Sequence, residues 1–481
     1  MQYPIYTPEL QPYVGAAHGC LDSGWVSSQG DYIAKTAKAF ETRLGVPYVV
    51  LVNNGTSATH LLYKALKFRY PSLRRIYVPN NVFVAVWNAA LYEYPASMLS
   101  VLEMDPATLN MRVDEAYIRT LEPNSAVVVV HNVGNVVDVP RLQQIRPDLV
   151  FVEDACEAFL EQYGNRVTGS ASLCAAVSFF ANKIITSGEG GIWYTNDREL
   201  YEFVYATCHH GMTHERYIYN VLGYNYRMTN VQAALLYAQM EDIDAILARK
   251  REVARRYKVL FGDAVATTGL WMMVLRLPGT QYAELLPRLA MFGVDTRPMF
   301  YDIHRHKHLR AISSSASGPY TDDICMVPSS PSLTVFDQVF IENAVRQAIR
   351  GTYVPIVRAT RDSLGEFLCN PMPETFRYFA KRSIQDSLAA HTLTLLAMDG
   401  DSPIGYAHID DRWVGLCVLP SSQAKGVGTA LLTFVISYAR LAGIPLRLSV
   451  DKTNARAISL YRRHGFRTTR ETETVYFMDL E

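Results

Sequence analysis

Between residues 46 and 195 the chain repeats short, unbroken apolar runs: YVVLV, RIYVP, SAVVVVH, LVFVEDA, AAVSFF and IWYT. Runs without polar alternation predict strands covered on both faces, and the helical patterns between them predict an α/β fold with a mainly parallel sheet. Residues 226–259 read as long helices. A second αβ region, about 260–350, holds the strand LWMMVLRL, a helix near 281–292 and a last helix, FDQVFIENAVRQAIR, which stops at the C-cap residue Gly351. The pattern then restarts with TYVPIVRAT, two helical stretches, and the strands LTLLAMD, PIGYAHI and WVGLCVLP. The expected division is therefore 1–350 and 352–481, joined by a link of a few residues, in keeping with the two or three domains that 481 residues allow.

The 46 basic residues balance the 46 acidic ones, so no global field favours nucleic acid or an anionic membrane, and an anionic ligand must be held locally. Seven cysteines are scattered without a CxxC or a metal-ligand spacing, which suits a reducing compartment and predicts buried thiols. The N-terminus MQYPIYTPEL lacks a basic flank, and no apolar run approaches the roughly 20 residues of a membrane span, so a soluble, cytoplasmic protein is expected. SSSASG at 313–318 reads as a surface loop.

The segment SFFANKIITSGEGG places one ammonium, Lys183, in an apolar stretch that ends in glycines, with Ser178 five residues earlier. NNGTSATHLLYKAL follows a strand and opens a helix at Gly55, Thr56 and Ser57, a small-residue N-terminus suited to phosphate. FVEDACEA sets Asp154 just past a buried strand, where an ionised carboxylate needs a partner. A phosphate cradle, a buried anion and a desolvated amine are the needs of pyridoxal phosphate (PLP).

Residues 1–350 resemble the DegT/DnrJ/EryC1/StrS sugar aminotransferases, which have the fold-type I PLP architecture. The ordered pieces are SGWVSSQGDYI, NNGTSA, VEDACEA, SFFANKIITSGEGG, LGYNYRMTNVQAAL, VDTRPMFY and VPSSPSLT. The resemblance implies that Lys183 is the Schiff-base lysine and proton shuttle, and that Asp154 partners the pyridine nitrogen. It further implies that Gly55, Thr56, Ser57 and Ser178 form the phosphate site and that Phe83 stacks on the ring. Asn225 would reach the phosphate of a neighbouring subunit, which implies a homodimer, and Arg227 would meet anionic groups of the donor or substrate. Glu157 stands where the family usually has Gln or His near the cofactor's phenolic oxygen. A carboxylate there repels a phenolate unless protonated, so either Glu157 points elsewhere or the charge balance of the site is shifted. Lys183 argues against the dehydratases of the family, which carry histidine at that position.

The second half reads VGLCVLPSSQAKGVGTALLTFVISYARLAGI: a strand, a glycine-interrupted turn and a long helix, with Gly426 and Gly428 where N–H groups can converge on a pyrophosphate. With LRLSVDKTNARAISLYRRHGF it resembles the GCN5-related N-acetyltransferases (GNAT), over about 352–481. The resemblance implies acetyl-CoA in a splay between WVGLCVLP and LRLSV. Backbone groups of Gln423, Ala424, Lys425, Gly426, Val427, Gly428 and Thr429 would hold its pyrophosphate, with Asn454 near the pantetheine arm. Tyr461 would be the general acid that protonates the leaving thiolate. Asp386, His391, His408 or a water chain are candidates for the base. Arg377, Tyr378 and Arg382 either grip the acceptor's nucleotide diphosphate or form a solvated face.

An aminotransferase makes an amine and an acetyltransferase consumes one. The joint expectation is a bifunctional enzyme: L-glutamate aminates an NDP-4-keto-6-deoxyhexose, and acetyl-CoA then caps the product as an NDP-4-acetamido-4,6-dideoxy sugar for glycan biosynthesis. C3 amination, acetylation of a different amine or protein, or an aminotransferase half kept only for dimerisation are the alternatives.

Overall fold

The computed structural model describes residues 3–213, 215, 217–312, 322–371 and 383–480. The 313–318 loop and Arg377, Tyr378 and Arg382 lie outside the described residues. The apolar runs become β1 (Tyr48–Val52), β2 (Ile76–Pro79), β3 (Leu99–Leu102), β4 (Ala126–Val130), β5 (Val150–Asp154), β6 (Ala175–Ser178) and β7 (Gly191–Thr195). They form one seven-stranded sheet in the order β1-β7-β6-β5-β4-β2-β3. β7 is antiparallel to both β1 and β6, and the other pairings are parallel. All strands but β7 therefore run the same way, and the carboxyl ends of β1, β5 and β6 meet at one edge of the sheet, where ligands of α/β proteins gather.

Residues 226–259 hold two helices, as the pattern predicts. Thr229 closes a capping box with Gln232 and starts the helix Asn230–Glu241, and Ile243–Phe261 follows. The latter leads into a small antiparallel sheet of β8 (Met273–Arg276), β9 (Arg297–Pro298) and β10 (Ile324–Val327), with β10 in the middle. Over it lie the helices Tyr282–Met291 and Val335–Arg350, the second ending at Gly351 in the left-handed conformation.

The chain then builds a second seven-stranded sheet from β11 (Ile356–Arg358), β12 (His391–Asp399), β13 (Ser402–Asp410), β14 (Trp413–Val418), β15 (Leu446–Asp451), β16 (Arg467–Glu471) and β17 (Val475–Leu480). Its order is β11-β12-β13-β14-β15-β17-β16. β14 and β15 are parallel and pair only at Trp413 and Arg447, so beyond that point they part.

The two halves share one buried apolar cluster, which runs from Val253 and Tyr257 through Val339 and Val345 to Leu431, Phe434 and Leu448. Phe336 of the helix Val335–Arg350 meets Phe434 of the helix Val427–Ala442 at 5.2 Å between ring centroids, and the Arg358 guanidinium covers Phe336 at 4.5 Å. Asn343 Nδ2 donates to the Ala430 carbonyl at 3.2 Å. Gln347 fixes the link itself by donating to the Val354 carbonyl and accepting from its N–H.

The expectation of uniformly buried thiols is corrected at two positions: Cys369 is exposed and Cys156 is half-buried. Cys369 caps the solvent-facing end of the helix Arg361–Leu368, and Cys156 faces a cavity. No helix among the described residues is long and apolar enough to cross a membrane.

Phe434 is fully buried where the halves meet. Phe434→Ala is expected to cost about 3–5 kcal/mol and to lower protection from hydrogen exchange on both sides of Gly351. Loss confined to residues after 351 would show that the halves unfold independently.

Candidate active sites

The first site forms at the carboxyl edge of the large sheet. After β1, Asn54 caps the helix Gly55–Arg69 by accepting from the Ser57 N–H at 2.8 Å. The end of β6 crosses this N-terminus so tightly that a Cβ on Gly55 would lie 2.5 Å from Ser178 Cβ. That approach brings the Ser178 hydroxyl to the helix's free N–H groups, a favourable place for an anion. Thr56 is exposed at the same N-terminus, but the Ser57 hydroxyl turns inward to Asn53 Oδ1 at 2.7 Å, away from the cavity. Of the glycines in SGEGG, Gly191 allows a close backbone approach: a Cβ there would meet the Asn54 carbonyl at 2.8 Å.

The edge bounds a cavity of about 660 Å³ that contains Lys183, Asp154, Glu157, Thr56, Ser178 and Phe83 among its walls. Asp154 is buried at the tip of β5 and is oriented by the Thr59 hydroxyl at 2.8 Å and the Cys156 N–H at 3.1 Å. Phe83 is 55% exposed, so its ring is free to receive a planar ligand. Trp271, from the start of the small sheet, faces the Lys183 Nζ at 4.0 Å. Sequence reasoning missed Thr59 and Trp271. Thr59 carries a local signal, one helical turn after Gly55; Trp271 carries none, since its contact spans the chain between the two sheets.

Glu157 does point into this cavity. One carboxylate oxygen accepts from the Val133 N–H at 2.7 Å, and burial pushes the carboxyl up to about 7. The neighbouring Lys183 pulls it the other way, and the Asp154 charge adds to the rise. Asn225 and Arg227 stand outside the cavity of their own chain. Arg227 Nε donates to Asn225 Oδ1 at 2.9 Å on an exposed loop.

The second site is a cleft of about 750 Å³ where β14 and β15 diverge. Gln423, Ala424, Gly426, Gly428 and Thr429 border it, together with Asn454 and Tyr461. Gly426 begins the helix Val427–Ala442 at φ +84°, a conformation that aims the first N–H groups at the cleft and disfavours any side chain. Lys425 is exposed and Val427 buried, and neither lines the cleft, so only their backbone groups remain available to it. Asn454 spends its side-chain oxygen on the Ala457 N–H as a helix cap. Arg456, which sequence reasoning passed over, spans the cleft mouth to Gln423 Oε1 at 2.6 Å. Burial pushes the Tyr461 phenol up to about 12, which keeps its proton in place at neutral pH. Among the base candidates, Asp386 is engaged as a helix-cap partner of Ser383. His391 and His408 stack at 4.3 Å in the sheet, and His408 covers Gly415 of the cleft wall.

Residues 12–346 match the DegT/DnrJ/EryC1/StrS aminotransferase family, about 70% of the 481 positions. The chain belongs to that family. Residues 360–466 match the acetyltransferase (GNAT) family, so a PLP-dependent aminotransferase and an acetyl-CoA-dependent acetyltransferase share one chain. The GDP-perosamine synthase of Escherichia coli O157:H7 is 32% identical over 368 residues, 72% of this chain and 99% of that protein. The UDP-4-amino-4,6-dideoxy-N-acetyl-beta-L-altrosamine transaminase of Helicobacter pylori is 29% identical over 227 residues, 46% of this chain and 59% of that protein. Among solved structures, a GDP-4-keto-6-deoxymannose-3-dehydratase with a trapped PLP-glutamate geminal diamine superposes with TM-score 0.65 at 20% identity. It covers 72% of this chain and 100% of its own, and likeness at that identity shows the fold alone. In this family member the cavity suits PLP: an amine, a buried oriented carboxylate, an exposed aromatic face and a hydroxyl-flanked helix N-terminus surround one space.

Gly55→Ala should push β6 off the helix N-terminus and weaken PLP affinity at least tenfold, read by fluorescence titration; unchanged affinity would remove this N-terminus from the phosphate site. Glu157 is protonated below about 7 and ionised above it. The PLP-loaded enzyme should therefore show a change in visible absorbance on crossing that pH, and Glu157→Gln should abolish it.

Proposed function

We propose that the chain aminates a nucleotide-linked 4-keto-6-deoxyhexose with L-glutamate and then acetylates the new amine with acetyl-CoA. The product is an NDP-4-acetamido-4,6-dideoxy sugar for glycan assembly. The observation that carries this reading is the single apolar core that joins an amine-forming site to an amine-consuming one. The H. pylori relative's name supports amination at C4, and the GDP-perosamine synthase supports guanosine diphosphate as the carrier.

Thr56, Ser178 and the N–H groups that open the helix Gly55–Arg69 hold the cofactor phosphate in this scheme, and Phe83 covers the ring. Bound there, PLP supplies the electron sink for moving an amino group between glutamate and the ketosugar. Asp154, buried and aimed by Thr59 and the Cys156 N–H, would hold the proton on the ring nitrogen. Lys183 carries protons at its Nζ between the reacting carbons, and Trp271 screens that nitrogen from solvent. In the cleft, the N–H groups after Gly426 hold the pyrophosphate of acetyl-CoA. The sugar amine attacks the thioester carbonyl, and Tyr461 gives its proton to the departing thiolate. His391 and His408 take the proton lost by the amine, directly or through water.

Leu222, Tyr217 and Trp25 are large apolar residues that stand exposed, and Leu222 and Tyr217 lie close to Asn225 in the chain. Exposed apolar side chains near Asn225 support a homodimer in which Asn225 completes the partner's phosphate site.

Lys183→Ala should lose the visible absorbance and all amination, yet still acetylate a supplied 4-amino sugar. Tyr461→Phe should leave amination intact and slow acetylation by about 10²-fold. Both are read by mass spectrometry of timed reactions with and without acetyl-CoA. A 4-amino sugar that accumulates unchanged in the presence of acetyl-CoA would overturn the sequential reading.

A further inference from the structure

Lys250 is 1% exposed, and its Nζ donates to two main-chain carbonyls, those of Trp271 at 3.0 Å and Ser329 at 2.6 Å. No carboxylate lies within ion-pair distance of it among the described residues. Burying an ammonium among carbonyls is costly, so its place should return something. Its neighbours converge on the two peptides that flank Lys183. The Trp271 indole N–H donates to the Asn182 carbonyl at 3.0 Å, while the ring covers the Lys183 Nζ. The Tyr6 hydroxyl donates to the Lys183 carbonyl at 3.0 Å, and the Lys250 ammonium faces the Tyr6 ring at 5.2 Å. Ser329, the other acceptor, takes the Met273 N–H on its hydroxyl at 2.8 Å and so holds the start of β8, two residues after Trp271.

We propose that Trp271 and Tyr6, both anchored on Lys250, are positioning residues that clamp the two consecutive peptides flanking the Lys183 Cα and aim the Lys183 amine. The clamp rests on the reading of Lys183 as the amine that engages PLP. It joins three separate parts of the chain: the N-terminal strap with Tyr6, the long helix with Lys250 and the small sheet with Trp271. A released Lys183 amine has four free torsions along its stem and would otherwise wander from the reacting carbon. The indole face lies over the Lys183 Nζ and gives it a fixed place to rest. The two carbonyl contacts fix the backbone from which the stem departs.

The test uses the PLP-loaded full chain with Trp271→Leu, Trp271→Phe, Lys250→Met and the double variant Trp271→Leu/Lys250→Met. Visible circular dichroism reports how the lysine-bound cofactor is oriented, and rapid mixing with glutamate alone reports the first half-reaction. Trp271→Leu is expected to reduce the dichroic band at least twofold and to slow the half-reaction by about 10²-fold, with glutamate affinity unchanged. Trp271→Phe, which keeps an aromatic face but lacks the indole N–H, should fall between Trp271→Leu and the parent. Lys250→Met should shift both readouts in the same direction, and the double variant should be no worse than Trp271→Leu, since both act through one clamp. An unchanged band and half-reaction rate in Trp271→Leu or Trp271→Phe overturns the proposal. A lowered melting temperature in Lys250→Met with both readouts unchanged makes Lys250 purely structural and overturns it as well. Lys183→Ala separates the two levels: a visible band that survives in that variant defeats the reading of Lys183 itself, independently of the clamp.

Discussion

The first site depends on a single close approach of backbones. The Asn54 carbonyl, Gly191 and the end of β6 pack so tightly that a Cβ at Gly55 or Gly191 would collide with its neighbours. This contact exists because β7 is inserted antiparallel between β1 and β6. The inserted strand separates β1 from β6 along the sheet, and the glycines let the loop after β1 fold back over β7 to reach Ser178. Without the inversion, the helix N-terminus and the lysine segment would belong to adjacent parallel strands with no space between them for a planar ligand. The cavity is thus a consequence of strand order, and the side chains inside it are secondary to that constraint.

The second organising contact is the helix Val335–Arg350. It closes the small sheet on one side and receives Phe434 and Ala430 of the acetyltransferase helix on the other. The helix Val427–Ala442 offers its N-terminus to the acetyl-CoA cleft and its flank to the aminotransferase. Any shift of the small sheet relative to the large one must carry this helix along, because close-packed cores move as bodies rather than deform. Trp271 and Lys250 are bonded into the same small-sheet region, which ties the surroundings of Lys183 to the packing against the acetyltransferase half.

Much of the architecture was legible in the sequence because it rests on local patterns. Unbroken apolar runs marked the buried strands, Gly351 marked the end of the last aminotransferase helix, and the glycines near 426 marked the turn into the second cleft. The candidate residues Lys183, Asp154, Ser178 and Tyr461 stood out because each follows a strand or lies on a helix with a distinctive spacing. What escaped were contacts across the fold. Trp271 looked like one apolar residue in a strand, and Lys250 like one of several cations on an amphipathic helix. The inward turn of the Ser57 hydroxyl depends on Asn53, and no spacing rule distinguishes it from the outward Thr56. The glycines after Lys183 were visible, but their partner, the Asn54 carbonyl, was not.

Glu157 shows how a departure from a family pattern can be absorbed physically. A carboxylate in place of a neutral amide adds a negative charge to a cavity that already holds Asp154, and two buried carboxylates near one ammonium cannot both be compensated fully. The structure settles the burden on the less well solvated partner. Asp154 receives a hydroxyl and an N–H, whereas Glu157 receives one N–H and is pushed up to about 7. A protonated Glu157 can donate one hydrogen bond from its O–H, where an amide has two N–H donors, and it loses that donor as pH rises. The carboxyl therefore makes the charge of the site sensitive to the surrounding solution, and the acetyltransferase half is subject to a related demand. Its amine must be unprotonated to attack, so both chemistries are favoured or hindered by proton availability, though at different atoms and with opposite sign: a higher pH frees the nucleophile at the second site as it charges Glu157 at the first.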